Sequence, residues 1–310
     1  MAAEQPATDG AATPGAPNGR DVEQLAGLPR LGPRYALALL PGRGGGGPLP
    51  DRELAVSGLR VDPANLAAYA RVCGFAMDGT LPVTYPQVLA FGPQIRLMTE
   101  PGFPLRLPGL VHLRQRIRQL RPVDAGDQLE LRVHAERLRP HPRGALVDLV
   151  AELSTPAGPA WSARSSYLSR GATAPDNPDG TNADSTDTDE AADLPGPLAA
   201  RWRLGGDTGR RYASVSGDVN PIHLHPLTAR LFGFRGAIAH GMWTAARCLA
   251  TLAGRLPDAY EVDAVFRKPV VLPTEVELHT ARTAGGWALT LRGAAADRVH
   301  LVMSVTAPTG

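Results

Sequence analysis

The chain has 310 residues, of which 32 are basic and 30 acidic, a balance that gives no general case for a nucleic-acid partner. Two isolated cysteines, Cys73 and Cys248, fit a reducing cytosol better than a disulfide framework and show no metal-ligand spacing. The most apolar stretch, residues 237–252, contains His240 and Arg247, so no transmembrane span is expected.

Residues 1–30 are rich in Ala, Pro and Gly and lack periodicity, which predicts a disordered tail. They offer neither a basic leader nor an apolar segment, and the expectation is a soluble, cytoplasmic protein without membrane association. The run "PGRGGGGPLP" at 41–50 lacks the Lys-Ser/Thr of a phosphate-binding loop and reads as a flexible connection. Residues 31–170 form a first domain. Near its end Leu129, Leu131, Val133 and Ala135 alternate, and "ALVDLVAEL" and "WSARSSYL" follow as further strands. Residues 171–198 carry seven acidic residues, no base and almost no large apolar side chain. Such a segment does not offset its own ordering entropy and reads as an acidic flexible linker. Its Asp spacing does not match a calcium loop. Without the tail and linker, 30 basic residues face 19 acidic ones, which favours an anionic partner reached by electrostatic steering as much as it reflects an Arg-rich surface.

Residues 199–310 form the second domain. A short helical segment is expected up to Gly217, then a loop across 218–223, a helical turn over 226–232 and a long helix over 237–252. After Pro257 the period changes to two, at Val262, Ala264 and Phe266, at Trp287, Leu289 and Leu291, and at Val299, Leu301, Met303 and Val305. One long helix followed by consecutive strands implies an antiparallel sheet wrapped around the helix, an α+β class. The two domains echo each other. "YARVCG" from Tyr69 matches "YASVSG" from Tyr212, and "PVDAGDQLEL" from Pro122 matches "PVVLPTEVEL" from Pro269. The offsets, 143 and 147 residues, differ by one small insertion or deletion and argue for a duplicated domain.

The segment "YASVSGDVNPIHLHP" at 212–226 concentrates the chemistry. Asp218 and His223 flank a proline, and a bent loop can converge a carboxylate and an imidazole on one water. Read singly, Asp218 is an ordinary turn or cap aspartate. His223, His225 and His240 could be read as a metal trio, but no fourth ligand is evident; no metal and no cofactor are expected. His225 reads as a loop residue, His240 as setting a helix start, and Tyr212 as core. Lys268, the only lysine, or Arg267 could meet a phosphate, although a solvated strand edge is the simpler reading.

"YASVSGDVNPIH", followed by "GFRGAIAHGMWTAA", resembles the MaoC-like family of (R)-specific enoyl-thioester hydratases and 3-hydroxyacyl-thioester dehydratases. The first half, around "LPVTYPQVLAFGPQIRLMT", resembles the degenerate half of two-domain members. The resemblance implies a double hot-dog fold, two antiparallel sheets each wrapped around a central helix. It implies Asp218 and His223 as the acid–base pair, Asn220 in support, and the backbone N–H of Gly241 as an oxyanion hole. The implied substrate is an acyl-CoA or acyl-carrier-protein thioester, handled by a monomer of two halves or a homodimer. Rival readings are a hot-dog thioesterase and a non-catalytic acyl-thioester-binding subunit. Aligning Tyr69 with Tyr212 places Phe75 at the position of Asp218 and Thr80 near that of His223, so the first half lacks the acid–base pair and is expected to shape an acyl tunnel.

Overall fold

The computed structural model describes residues 19–29, 47–107, 109–174, 196–294 and 296–308. Residues 41–46 of the glycine-rich run and most of the acidic linker lie outside these residues, as does most of the N-terminal tail. The part of the tail that is described corrects the expectation of disorder. Asp21–Leu25 forms strand β1, which pairs in parallel with β2 (Arg52–Leu59).

The first half continues with α1 (Pro63–Cys73), α2 (Tyr85–Met98) and strands β3 (Leu110–Gln119), β4 (Leu129–His141), β5 (Gly144–Thr155) and β6 (Gly158–Arg170). The second half runs β7 (Leu198–Leu204), α3 (Thr208–Ser216), α4 (Pro221–Leu224), α5 (Pro226–Leu231), α6 (Gly241–Ala250), then β8 (Tyr260–Phe266), β9 (Thr274–Thr283), β10 (Gly286–Gly293) and β11 (Ala296–Thr306). The strand order is β1-β2-β4-β5-β6-β3-β8-β11-β10-β9-β7. Leaving β1 aside, the order read inward from either end is the same: first strand, third, fourth, fifth, second. That mirrored order is the duplication made visible. It is also the double hot-dog arrangement, with α2 and α6 as the central helices. The two half-sheets are not separate, however. β3 pairs antiparallel with β8 from Arg114↔Val265 to Gln119↔Tyr260 and joins them into one sheet of eleven strands.

The alternating residues of β4, β8, β10 and β11 face the core as their spacing required. Arg114 forms a bidentate pair with Asp263 across the β3–β8 seam, its Nε donating to Oδ1 at 2.7 Å, and Arg118 pairs with Glu261. The helices are stitched across the same seam. Trp243 Nε1 donates to the Val72 carbonyl at 3.1 Å, and Asn65 Nδ2 to that of Val215 at 3.2 Å. Tyr69 and Tyr212, the matched tyrosines of the two copies, lie 6.1 Å apart at the centre.

The structure corrects the alignment of the copies. Gly74 and Gly217 both end a helix in the left-handed conformation, φ 85° and 75°, which glycine adopts without steric cost. Their offset is 143. Leu81 and Ala239 then occupy equivalent places, each donating its N–H to the residue (Val123 or Val270) that opens the matched "PV" segment, and their offset is 158. The second half therefore carries fifteen additional residues here, and they fold into α4 and α5. Thr80 sits in the bridge with Asp124 that corresponds to Ile238 with Val271, not at the position of His223. His223 stands on an insertion that the first half lacks.

Because β3 and β8 complete each other's pairing, neither half-sheet is closed alone. The full chain is expected to unfold in urea in one transition, seen identically by far-UV circular dichroism and tryptophan fluorescence. Residues 196–310 expressed alone are expected to aggregate; a monomeric, cooperatively folding half would contradict the shared sheet.

Candidate active site

The long helix expected over 237–252 begins later, at Gly241. Residues 237–239 are extended instead. Ala239 N–H donates to the Val270 carbonyl at 2.9 Å, Leu272 N–H to that of Ala237 at 2.8 Å, and His240 is the N-cap residue. The loop expected over 218–223 is also shorter than the sequence suggested. Pro221 is the first residue of the single-turn α4, a place where its missing N–H costs nothing. Asn220 caps that turn, its Oδ1 accepting from Ile222 N–H at 3.3 Å. The turn expected over 226–232 is α5, with His225 as its cap: Nδ1 accepts from Leu227 N–H at 3.2 Å. His225 is exposed there and does not join the other histidines.

These local rules bring Asp218, His223 and His240 together, with one ligand-type atom of each within 4.8 Å of the others. Asp218 follows the helix-ending Gly217, and its Oδ1 accepts from Asn220 N–H at 3.2 Å in an Asx turn. Its side chain keeps 24% of its surface exposed. His223 is buried, and its Nδ1 lies 2.8 Å from the Ile238 carbonyl. A carbonyl only accepts, so Nδ1 carries the proton and Nε2 presents a lone pair. Burial pushes the His223 imidazole below its ordinary range, against the opposing pull of the Asp218 carboxylate and the Ile238 bond. The His240 ring stacks on that of His223, centroids 3.6 Å apart, and its Nε2 bonds the Asp218 carbonyl at 3.0 Å. Burial, reinforced by His223, pulls His240 down to about 3. Tyr212 is core, as expected, with its ring 4.9 Å from that of His240.

Gly241 is the first residue of α6, where an N–H has no carbonyl one turn back to bond. The helix dipole adds positive potential at that end. A Cβ at Gly241 would lie 3.2 Å from the Phe266 ring, so a larger residue there requires that ring to give way by a few tenths of an ångström. Gly209 is constrained more severely, since a Cβ there would fall 2.1 Å from the His223 carbonyl oxygen. A helix backbone thus rests directly on the turn that carries His223.

Asp218, Asn220, His223, His240 and Gly241 all border one cavity of about 1190 Å³. Its far wall belongs to the first half, where Phe91, Ile95, Met98, Leu107 and Leu146 supply apolar surface. Lys268 and Arg267 also border it, Lys268 exposed to solvent as the sequence suggested. Sequence reasoning missed two polar wall residues of the first half, His112 and Tyr167. Their rings stack, centroids 4.6 Å apart, and both feel the Asp218 charge. Only their burial against the other half distinguishes them from ordinary strand residues.

The arrangement supplies an imidazole lone pair, a carboxylate and a helix-end N–H to one chamber. The same three side chains could approach a cation through His223 Nε2 and His240 Nδ1, since the other nitrogen of each ring lies against a backbone carbonyl.

A MaoC like domain family matches residues 193–288 of the chain. The 3-hydroxyacyl-thioester dehydratase X of Mycobacterium tuberculosis is 42% identical over 257 residues, covering 83% of this chain and 90% of that protein. A crystal structure of HtdX from M. tuberculosis superposes with a TM-score of 0.72 at 40% identity, covering 83% of this chain and all of that one. A conserved M. tuberculosis protein described as having a double hotdog fold gives a TM-score of 0.50 at 17% identity, covering 86% of this chain and 96% of that one.

The buried imidazoles carry a consequence for stability. His240 falls from 6.5 to about 3 and His112 from 6.5 to about 4 in the folded chain. Below pH 6.5 the unfolded chain therefore binds more protons than the folded one. Stability is complete above that pH and is lost as pH falls towards the folded values. Between pH 6.5 and 5 each group should remove on the order of 1 kcal/mol per pH unit. Urea midpoints at pH 7, 6 and 5 check this; a flat profile over that window would contradict neutral, buried rings.

Proposed function

The chain belongs to the MaoC-like dehydratase family, and from that premise we propose that it interconverts trans-2-enoyl and (R)-3-hydroxyacyl thioesters by adding or removing water. The observation that carries the reading is the tautomer of His223. Its Nδ1–H is spent on the Ile238 carbonyl, so its Nε2 is a basic lone pair facing the cavity that Asp218 and Gly241 share.

In the hydration direction, a water between Asp218 and His223 Nε2 donates one hydrogen to each. As the oxygen attacks C3, one of the two groups takes a proton from the water, and that proton is delivered to C2, so one H2O adds across the double bond and both groups end in their starting states. Negative charge gathers on the thioester oxygen, and the N–H of Gly241 at the positive end of α6 stabilises it. Asn220 keeps the turn between the two acid–base groups in shape through its cap of α4. His240 ties the Asp218 backbone to the His223 ring, a positioning role in keeping with its expected place at the helix start. Dehydration runs through the same groups in reverse.

The fifteen-residue insertion explains why only one half is assigned the chemistry. Phe75 replaces Asp218 and packs on Tyr69, and no counterpart of α4 exists to carry a histidine. The first half supplies an apolar wall, consistent with an acyl tunnel. The carrier is CoA or an acyl carrier protein, which share a phosphopantetheine arm. Free buried thiols at Cys73 and Cys248 fit a reducing cytoplasm. Among the described residues no helix is long and apolar enough to cross a membrane.

Loss of absorbance of crotonyl-CoA on hydration tests the assignment. Asp218→Asn and His223→Ala should each lower kcat by about 10²–10⁴-fold without unfolding the chain. Wild-type turnover in either folded variant would overturn the pair, and stoichiometric release of free thiol would instead establish a thioesterase. Dialysis against a chelator should leave turnover unchanged; loss restored by a divalent cation would move Asp218, His223 and His240 to a metal centre.

The apolar first-half wall makes a second expectation. From four-carbon to eight-carbon enoyl thioesters, kcat/KM should rise by about fourfold for each methylene buried, from about 0.8 kcal/mol per group. A strict four-carbon preference would show that the wall does not receive the chain.

A further inference from the structure

The half without an acid–base pair carries an unused polar group at the site. His112 lies on β3 and borders the same cavity as Asp218, His223 and Gly241. Its Nε2 is buried and, among the described residues, has no hydrogen-bond partner. A buried polar atom left unpaired costs free energy, so an orphan at the wall of a cavity signals a missing ligand group.

The ring is held deliberately. β3 and β6 are in register at His112↔Tyr167 and again at Arg114↔Ser166, so Leu113 is an extra residue, a β-bulge. Bulges re-aim a side chain and are common beside active sites. This one falls where β3 reaches the seam with β8. Tyr167 stacks on one side of the imidazole, and the Phe266 ring lies 4.8 Å away at 51° on another. Phe266 is also the ring that lies against Gly241. His112 is thus one aromatic ring removed from the helix end assigned to the thioester oxygen. The Arg114 backbone and the Gln115 side chain lie near the imidazole and favour its protonated form, against the larger cost of burial. In the neutral ring with the proton on Nδ1, the unpartnered Nε2 is an acceptor.

We propose that His112 Nε2 is a substrate-positioning acceptor, supplied by the non-catalytic half, for the amide N–H nearest the sulfur in the pantetheine arm of the thioester. The inference rests on the hydration reading above. The chemistry selects the donor. The acyl part of an enoyl thioester has no N–H or O–H, and the two hydrogens of the attacking water are taken by Asp218 and His223. The next donor in the substrate is that amide, two carbons beyond the sulfur. It is common to CoA and to an acyl carrier protein, so the contact would fix the thioester on Gly241 for either carrier.

The test uses crotonyl N-acetylcysteamine and its isostere, crotonyl S-(2-acetoxyethyl) thioester, in which an ester oxygen replaces the amide N–H. The full-length protein should favour the amide by about five- to tenfold in kcat/KM, the range of one buried hydrogen bond. His112→Phe keeps the stacked ring and removes the acceptor, and it should bring the ratio to about one. His112→Gln, which restores an acceptor oxygen, should recover part of the preference. A purely structural role would slow both substrates together and leave the ratio unchanged, which would overturn the proposal, as would a wild-type ratio of one. Binding of the saturated butyryl pair, followed by NMR titration, reads the same ratio without turnover. An intact binding preference that His112→Phe abolishes, in a protein that hydrates neither crotonyl substrate, would sink the hydration reading and leave the amide contact standing.

Discussion

The β3–β8 pairing is the interaction on which the molecule depends. Two half-sheets that would each end in an open edge complete one another there, and the Arg114–Asp263 pair and Arg118–Glu261 fasten the join. Because the halves meet edge to edge, their helices are also brought face to face, with α1 bonded to α3 and α6 through Asn65 and Trp243. The cavity exists only as a consequence. One wall is the turn and helix end of the second half, and the other is the apolar face of the first. The candidate acid–base groups and the apolar wall come from different copies of one repeated unit.

Duplication freed the two copies to diverge in a physically legible way. The second carries α4 and α5 after its left-handed glycine, which places His223 against the Ile238 carbonyl and beside Asp218. The first kept the glycine, put Phe75 after it, and paired Tyr69 with Thr84 where the second half has Tyr212 against His240. A phenol–hydroxyl bond of 2.8 Å replaces an imidazole stack at equivalent places. The first half thus has a hydroxyl pair at its own helix start where the second has stacked imidazoles, and it carries His112 and Tyr167 on the side that borders the shared cavity.

Burial sets the state of the chemistry. Three imidazoles, His112, His223 and His240, sit where water cannot solvate a charge, and each is held neutral by that cost. Backbone carbonyls then choose the tautomer. For His223 the result is a base at Nε2, and for His240 a donor that ties down the Asp218 backbone. The carboxylate, by contrast, keeps partial contact with solvent. A buried base beside a wetter acid is a division of labour that neither residue type dictates alone.

The sequence by itself determined a good deal. The period-two runs specified β4, β8, β10 and β11, because a pleated strand must alternate its faces. The echo of Tyr69 with Tyr212 and of the two "PV" segments specified a duplicated α+β unit. The contiguous run from Tyr212 to His223 specified its own turn, since Gly217, Asp218, Asn220 and Pro221 are each suited to one local backbone state. What lies close in the chain was legible because local bonds fix it. Only the tertiary structure decided the rest. The late start of α6 followed from residues 237–239 pairing with the segment at Val270, a contact thirty residues away. The fifteen-residue insertion could not be sized from short matches, so Thr80 was set against His223 when it belongs opposite Ile238. β1 drew its order from β2, not from its own composition. His112 gave no local sign of a role, because its bulge, its stacking partners and its orphaned nitrogen all depend on which strand and which half came to lie beside it.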